Sequence, residues 1–207
     1  MTEWKLFEGD VAHVSTAEFH AFRERAPHWE QSIHRARLEK AAEFVTAASR
    51  SAIGDRFGGI VKVVDLGCGD GGLVAHLDEN HSAWMACVGY DFQPSNQDGW
   101  EERGLTHCTF QFNFVANWEL VIDADVYVMT ECLEHLTDPH AAVRRVRARE
   151  ARLVASSPWT EHYESHDECH AWAWDFEGYG QLVTDAGFKI QQHEKVGMFQ
   201  VLWAVPV

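Results

Sequence analysis

The chain has 207 residues, 46% of them hydrophobic, which is enough for one sizeable core and ordinary for a single α/β domain. Acidic residues number 32 against 17 basic ones, and the formal net charge of −15 disfavours duplex nucleic acid as a partner, because such binding draws on counterion release at basic patches. No apolar run approaches the roughly 20 residues of a membrane span, the first residues show no charged-then-apolar leader, and the five cysteines have no Cys-x-x-Cys spacing. A cytoplasmic protein with reduced, mostly buried thiols is expected, with neither a disulfide framework nor a thiolate zinc site suggested. Oligomeric state carries no sequence signal.

Residues 1–55 read as helical. Ser15-Thr16-Ala17-Glu18 forms a capping box for a helix ending before Pro27, and Pro27 suits the first turn of a second helix that carries Trp29, Ile33, Ala41, Phe44, Val45 and Ala48 and stops at Gly54. These helices read either as a lid over a pocket or as a plain packing pair, part of the same domain as a core spanning 56–207. From residue 60, apolar runs ending near 66, 91, 112, 130 and 157 alternate with helical stretches, the pattern of a doubly wound, mostly parallel sheet with helices on both faces. Asp138-Pro139 opens a helix bearing Arg144, Arg145, Arg147 and Arg149, with Arg152 beyond, a run that reads as a solvated outer surface. Phe188-Lys189-Ile190 and Met198 to Val205, joined through Gly197, predict a closing antiparallel β-hairpin.

The run Val63-Val64-Asp65-Leu66-Gly67-Cys68-Gly69-Asp70-Gly71-Gly72 reads as a strand that stops in a tight turn and opens a helix, bringing bare backbone against a ligand. It is neither Gly-x-Gly-x-x-Gly nor a P-loop, since the glycines alternate and no Gly-Lys-Ser/Thr follows. With no basic residue in the turn and Asp65 and Asp70 flanking it, a cationic or zwitterionic ligand is favoured over an anion. Asp65 has a second reading as an acceptor for the turn's own N–H groups, and Cys68 reads as small filler without an activating base. Ligands in such sheets sit beyond the carboxyl ends of the strands, where Gly67, Asp91, Asn113, Glu131 and Ser156 all fall.

Asp65-x-Gly67-x-Gly69-x-Gly71 resembles the first motif of the class I S-adenosylmethionine-dependent methyltransferases. Three later stretches extend the resemblance over about residues 60–207: Ala86 to Asp91, Thr109 to Phe114, and Asp125 to Leu136 with its Glu-His-Leu turn. The resemblance implies a seven-stranded Rossmann-like methyltransferase fold, S-adenosylmethionine as cofactor and a small-molecule methyl acceptor. It implies that Asp91 accepts hydrogen bonds from the ribose, that Phe92 packs on the adenine, and that Asn113 and Phe114 meet the adenine edge. Asp65, Gly67, Cys68, Gly69 and Thr130 complete the expected cofactor site.

Glu131, Glu134 and His135 stand at i, i+3 and i+4, so on a helical turn they project to one side. Residues 158–175 add further acids and imidazoles, His170 among them, at the same sheet end. Glu131, Glu134, His135 and His170 resemble the metal site of the small-RNA 3′-terminal 2′-O-methyltransferases, which implies Mg²⁺ or Mn²⁺ at these four residues. The same Glu-His-Leu turn occurs without metal in the ubiquinone-pathway O-methyltransferases, which the chain also resembles. There His135 or His170, with Glu131, would act as a metal-free base. Helix-start acids are the plain alternative for the glutamates. Trp159, Trp172 and Trp174 wall an aromatic pocket or mark core-facing strand positions. A protein that binds the cofactor without turnover is the remaining alternative.

Overall fold

The computed structural model describes residues 2–7, 27–54, 59–110 and 117–207. A short strand β1 (Glu3–Lys5) precedes helix α1 (Ser32–Gly54), then come β2 (Val61–Leu66), α2 (Gly72–His81), β3 (Met85–Asp91), α3 (Gln97–Glu102) and β4 (Cys108–Phe110). The second half holds β5 (Val126–Thr130), α4 (Pro139–Ala148), β6 (Arg152–Pro158), β7 (Trp172–Trp174), α5 (Phe176–Asp185), β8 (Phe188–Val196) and β9 (Phe199–Pro206). The main sheet has seven strands in the order β4-β3-β2-β5-β6-β9-β8. Its first five strands are mutually parallel, and β9 runs antiparallel between β6 and β8. This is the expected doubly wound sheet with its C-terminal hairpin, turned at Gly197.

The parallel strands are apolar on both faces because helices cover both faces. Side chains alternate across the sheet, so neighbours on β2 enter different cores. Val64 and Leu66 join Tyr127, Met129, Leu153 and Leu202 under α4 and α5. Val61 and Val63 join Val126, Val128, Val154 and Val201 under α1 and α2. Helix α1 is thus a layer of the core: Phe44, Val45 and Ala48 are fully buried in it.

Three local expectations are corrected. Helix α1 starts at Ser32 rather than in the turn of Pro27, whose carbonyl instead accepts the Glu30 N–H in a separate turn. Glu3–Lys5 is a strand, not helix, because it pairs antiparallel with Trp172–Trp174 at the far end of the chain. The arginine run is not a uniform solvated face. Arg144 and Arg145 are exposed, but Arg147 donates to the carbonyls of Gly187 and Val207. Arg149 reaches the carbonyls of Val121, Ile122 and Trp118 and the Tyr127 hydroxyl, at 2.7, 2.8, 3.1 and 2.6 Å. The capping box at residues 15–18 lies outside the described residues. The Asp138-Pro139 start holds, with Asp138 Oδ1 accepting from the Ala141 N–H at 2.8 Å.

Arg149→Ala removes a charged donor from three loop carbonyls, of which Ile122 keeps the Tyr127 hydroxyl and Trp118 the Val121 N–H, and should cost about 2 kcal/mol in chemical denaturation. Arg144→Ala and Arg145→Ala should change stability by no more than about 0.5 kcal/mol. Equal effects at the three positions would restore the solvated-face reading.

Candidate active site

The turn after β2 is held from two sides. The carbonyl of Tyr90 on β3 accepts the N–H groups of Gly67 and Cys68 at 2.8 and 3.1 Å. Asp91, the last residue of β3, accepts the Gly69 N–H on Oδ2 at 2.8 Å. Its Oδ1 accepts the Gln93 N–H at 2.8 Å and the Asn96 side-chain amide at 3.0 Å. The Trp100 indole donates to the Gly69 carbonyl at 2.7 Å, and Arg103 pairs with Asp70 at 2.9 Å. Gly69 has φ +54°, and a side chain there would point into open space, so bare backbone is uncovered at the carboxyl ends of the strands. Asn96, Trp100 and Arg103 escaped sequence reading, because a carbonyl-binding indole or a distant guanidinium leaves no local pattern.

Asp65 lies behind this turn, buried, and its Oδ1 has no hydrogen-bond partner among the described residues. Burial pushes its carboxyl up to about 7, the Asp91 charge pushes the same way, and Arg37 opposes both. Burial also raises Asp91, against the pull of its Gln93, Gly69 and Asn96 donors. The orphaned oxygen and the uncovered Gly69 backbone fit a ligand with a cationic end and sugar hydroxyls. Cys68 is buried, and its hydrogen bond with Cys108, then burial, push the thiol well above its usual range, so it stays a thiol. Phe92 follows Asp91 and is half-buried, while Thr130, ending β5, is buried. Asn113 and Phe114 lie outside the described residues.

Past Thr130 the chain turns sharply. Glu131 takes a left-handed φ of +51°, a strain of order 1–3 kcal/mol that surrounding contacts must hold. Its Oε1 accepts the Ser156 hydroxyl at 3.2 Å, and the same hydroxyl accepts Nη1 of Arg37 at 3.2 Å. Arg37 comes from α1, is 1% exposed, and lies 5.2 Å from the Phe199 ring centroid. Burial raises the Glu131 carboxyl, and Arg37, His170 and Ser156 hold it back. Glu134 is different. Both of its carboxylate oxygens are buried without a partner among the described residues, and burial, then the charge of Glu131, push it well above the carboxylate range. The hydroxyl of Tyr179, whose own shift is driven by burial and then by Glu134, is likewise buried without a partner. Burial raises both carboxyls, and it raises Glu134 further, because Glu131 has the Ser156 hydroxyl as a donor and Glu134 has none among the described residues.

The imidazoles form a second group. His135 Nδ1 lies 3.1 Å from the Cys169 carbonyl, His170 Nδ1 lies 2.5 Å from Glu161 Oε2, and the two rings meet edge-on at 4.7 Å. One ligand-capable atom from each of His135, Cys169 and His170 lies within 4.8 Å of the others. Among the described residues no such trio includes Glu131 or Glu134. The helical i, i+3, i+4 arrangement is not realised, because Glu131 is left-handed and only Leu133–His135 forms a 3-10 turn. Trp174 is fully buried, stacks on Trp172 at 6.2 Å and donates to Glu3 at 2.7 Å, so the 172/174 alternation marks packing. Trp159 donates to the Gly197 carbonyl at 3.0 Å under the Lys195 ammonium.

The solved magnesium protoporphyrin IX methyltransferase of Synechocystis PCC 6803 with bound S-adenosylhomocysteine is 16% identical, with 95% of this chain and 97% of that chain covered and a TM-score of 0.60. A S-adenosylmethionine-dependent methyltransferase of Aquifex aeolicus is 15% identical over 83% of this chain and 98% of that one, with a TM-score of 0.56. An O-methyltransferase from neocarzinostatin biosynthesis is 17% identical over 84% of this chain and 55% of that one, with a TM-score of 0.59. At such identities the likeness shows the fold: the class I methyltransferase architecture. A family model described as a methyltransferase domain matches residues 21–193, and the chain belongs to that family, the S-adenosylmethionine-dependent methyltransferases. Curated protein sequences give no match.

The state of Asp65 has a measurable consequence. The unfolded chain releases this proton near 3.8, whereas the folded protein keeps it to about 7. Between those values the unfolded state binds fewer protons, so this group's contribution to stability falls as pH rises and levels off above about 7. The full effect is on the order of 4 kcal/mol. Thermal melts from pH 4 to 8 should show Asp65→Asn flattening that decline, and parallel profiles in the two proteins would contradict it.

Proposed function

We propose that this enzyme methylates a small-molecule acceptor, with the cofactor held over the turn at Asp65, Gly67, Gly69 and Asp91 and with Glu131 taking the acceptor's proton. The observation that carries this reading is the unpartnered, buried Asp65 oxygen behind a bare glycine turn that is tied to Asp91. When bound, S-adenosylmethionine supplies an electrophilic methyl carbon on a cationic sulfur.

Each residue's part follows from its surroundings. Asp65 offers a carboxyl oxygen to a cationic group, and that neighbour would draw its pKa back down. Oδ1 of Asp91 accepts from Gln93 and Asn96 and Oδ2 from Gly69, and a sugar hydroxyl is assigned to the Oδ2 side. Phe92, Asn113, Phe114 and Thr130 are assigned to the nucleoside side by their places after the second, third and fourth core strands. Glu131 stands at the end of β5, oriented by Ser156, with its carboxyl raised by burial and held back by Arg37, and a raised carboxyl suits a base. Glu134, which burial and the Glu131 charge push well above the carboxylate range and which has no hydrogen-bond partner among the described residues, is a poor candidate for that role. The chemistry is otherwise one of alignment, for which rigid strand ends are suited.

A small acceptor is favoured by the net charge of −15, which opposes a polyanion, and by the porphyrin methyltransferase among the structural relatives. The metal-assisted RNA-end reading is disfavoured because Glu131 and Glu134 are not gathered with the two imidazoles.

Calorimetry with S-adenosylmethionine should give one site that Asp91→Ala weakens by at least tenfold, and an unchanged affinity would remove Asp91 from the cofactor site. Incubating the enzyme with methyl-labelled cofactor and a small-metabolite extract should yield a labelled product, lost about 100-fold or more in Glu131→Gln while cofactor affinity is retained. Full labelling by that variant would transfer the proton to another group.

A further inference from the structure

Residues 159–171, between β6 and β7, return to the sheet end against the Leu133–His135 turn. The Ala171 N–H donates to the Glu134 carbonyl at 2.8 Å, and His135 Nδ1 meets the Cys169 carbonyl. At this junction sit two imidazoles and a fully buried thiol, with donor atoms within 4.8 Å of one another. We propose that His135, Cys169 and His170 form a zinc-binding site that clips this loop to the turn after β5.

Three features of the junction support a metal over a plain hydrogen-bonded cluster. First, each imidazole has Nδ1 engaged in the manner of metal-bound histidines, His170 with the Glu161 carboxylate at 2.5 Å and His135 with a backbone carbonyl. That engagement fixes the tautomer and turns Nε2 into the ligand atom. Second, the two rings meet edge-on at 4.7 Å, so modest side-chain rotation brings two nitrogens and the sulfur to the roughly 3.3–3.7 Å separations of a tetrahedral site with Zn–N of about 2.0–2.1 Å and Zn–S of about 2.3 Å. Third, the donor set is imidazole and thiol. It selects Zn²⁺ or Co²⁺ and suits neither Mg²⁺ nor Mn²⁺, which prefer oxygen.

Cys169 Sγ donates to Asp167 Oδ1 at 3.0 Å, and that oxygen also accepts the Cys169 N–H at 3.1 Å. When the metal binds, the S–H bond breaks, a sulfur–metal bond forms and one proton passes to solvent. Three protein ligands leave a fourth position for water. The centre shares no residue with the glycine turn, although His170 also bears on the Glu131 carboxyl.

Titrating the chelator-stripped full-length protein tests it. Zn²⁺ should bind at one equivalent with release of about one proton near pH 7. Co²⁺ should produce the near-ultraviolet thiolate-to-cobalt band, absent in Cys169→Ser. Glu161→Gln removes the charge behind His170, while its amide oxygen can still accept the Asp167 N–H, and should weaken Zn²⁺ binding 10- to 100-fold. S-adenosylmethionine affinity, measured on every variant, reports folding and the cofactor site independently. Failure of the wild-type protein to bind Zn²⁺ stoichiometrically, a thiolate band that survives in Cys169→Ser, or tighter binding of Mn²⁺ than Zn²⁺ would each overturn the site.

Discussion

The carboxylate of Asp91 ties the end of β3 to the turn that follows β2 through the Gly69 N–H, and it ties the same strand end forward to Gln93 and Asn96. Side-by-side parallel pairing sets Leu66 opposite Tyr90, so both strands end on one rim and a single side chain can span the gap. Charge-assisted bonds of this kind are among the stronger ones available to a carboxylate. Without the tie, the glycine turn would keep its freedom and the Asp65 oxygen behind it would have no fixed relation to a ligand. The cofactor reading rests on this one bridge.

Burial of acids is the second organising constraint. Asp65, Asp91, Glu131 and Glu134 all gather where the parallel strands end, and burial raises each of them. What distinguishes them is their company. Asp91 has donors in Gly69, Gln93, Asn96 and Phe92, Glu131 has Ser156 and the nearby Arg37 guanidinium, and Asp65 and Glu134 lack enough partners to offset desolvation. A crowd of buried acids at one rim is unfavourable by itself, and a cationic ligand would relieve it.

Arg37 shows how the N-terminal part enters the chemistry. The same helix that packs Phe44, Val45 and Ala48 against the sheet sends this guanidinium to Ser156 and the Phe199 ring. Helix α1 is therefore a structural layer and a source of site electrostatics at once. β7 pairs with β1, and Glu3 receives the Trp174 indole, so the N-terminal strand braces the loop that carries Cys169 and His170.

Local sequence determined what depends on near neighbours. The alternating glycines after Asp65, the acid ending the second core strand, the Asp138-Pro139 helix start and the Gly197 hairpin are all short-range devices, and the apolar runs between them dictate a doubly wound sheet. Tertiary structure alone decided what depends on distant partners. The arginines at 147 and 149 staple remote carbonyls, Glu3–Lys5 becomes a strand only because Trp172–Trp174 offers it an edge, and Glu131 and Glu134 part company because the backbone turns left-handed at 131. Cys169, lacking any second cysteine at ligand spacing, gains significance only when folding sets it beside His135 and His170. Spacing along a chain specifies geometry only where the backbone is regular, and at strand ends the irregular backbone and long-range burial fix where each side chain goes.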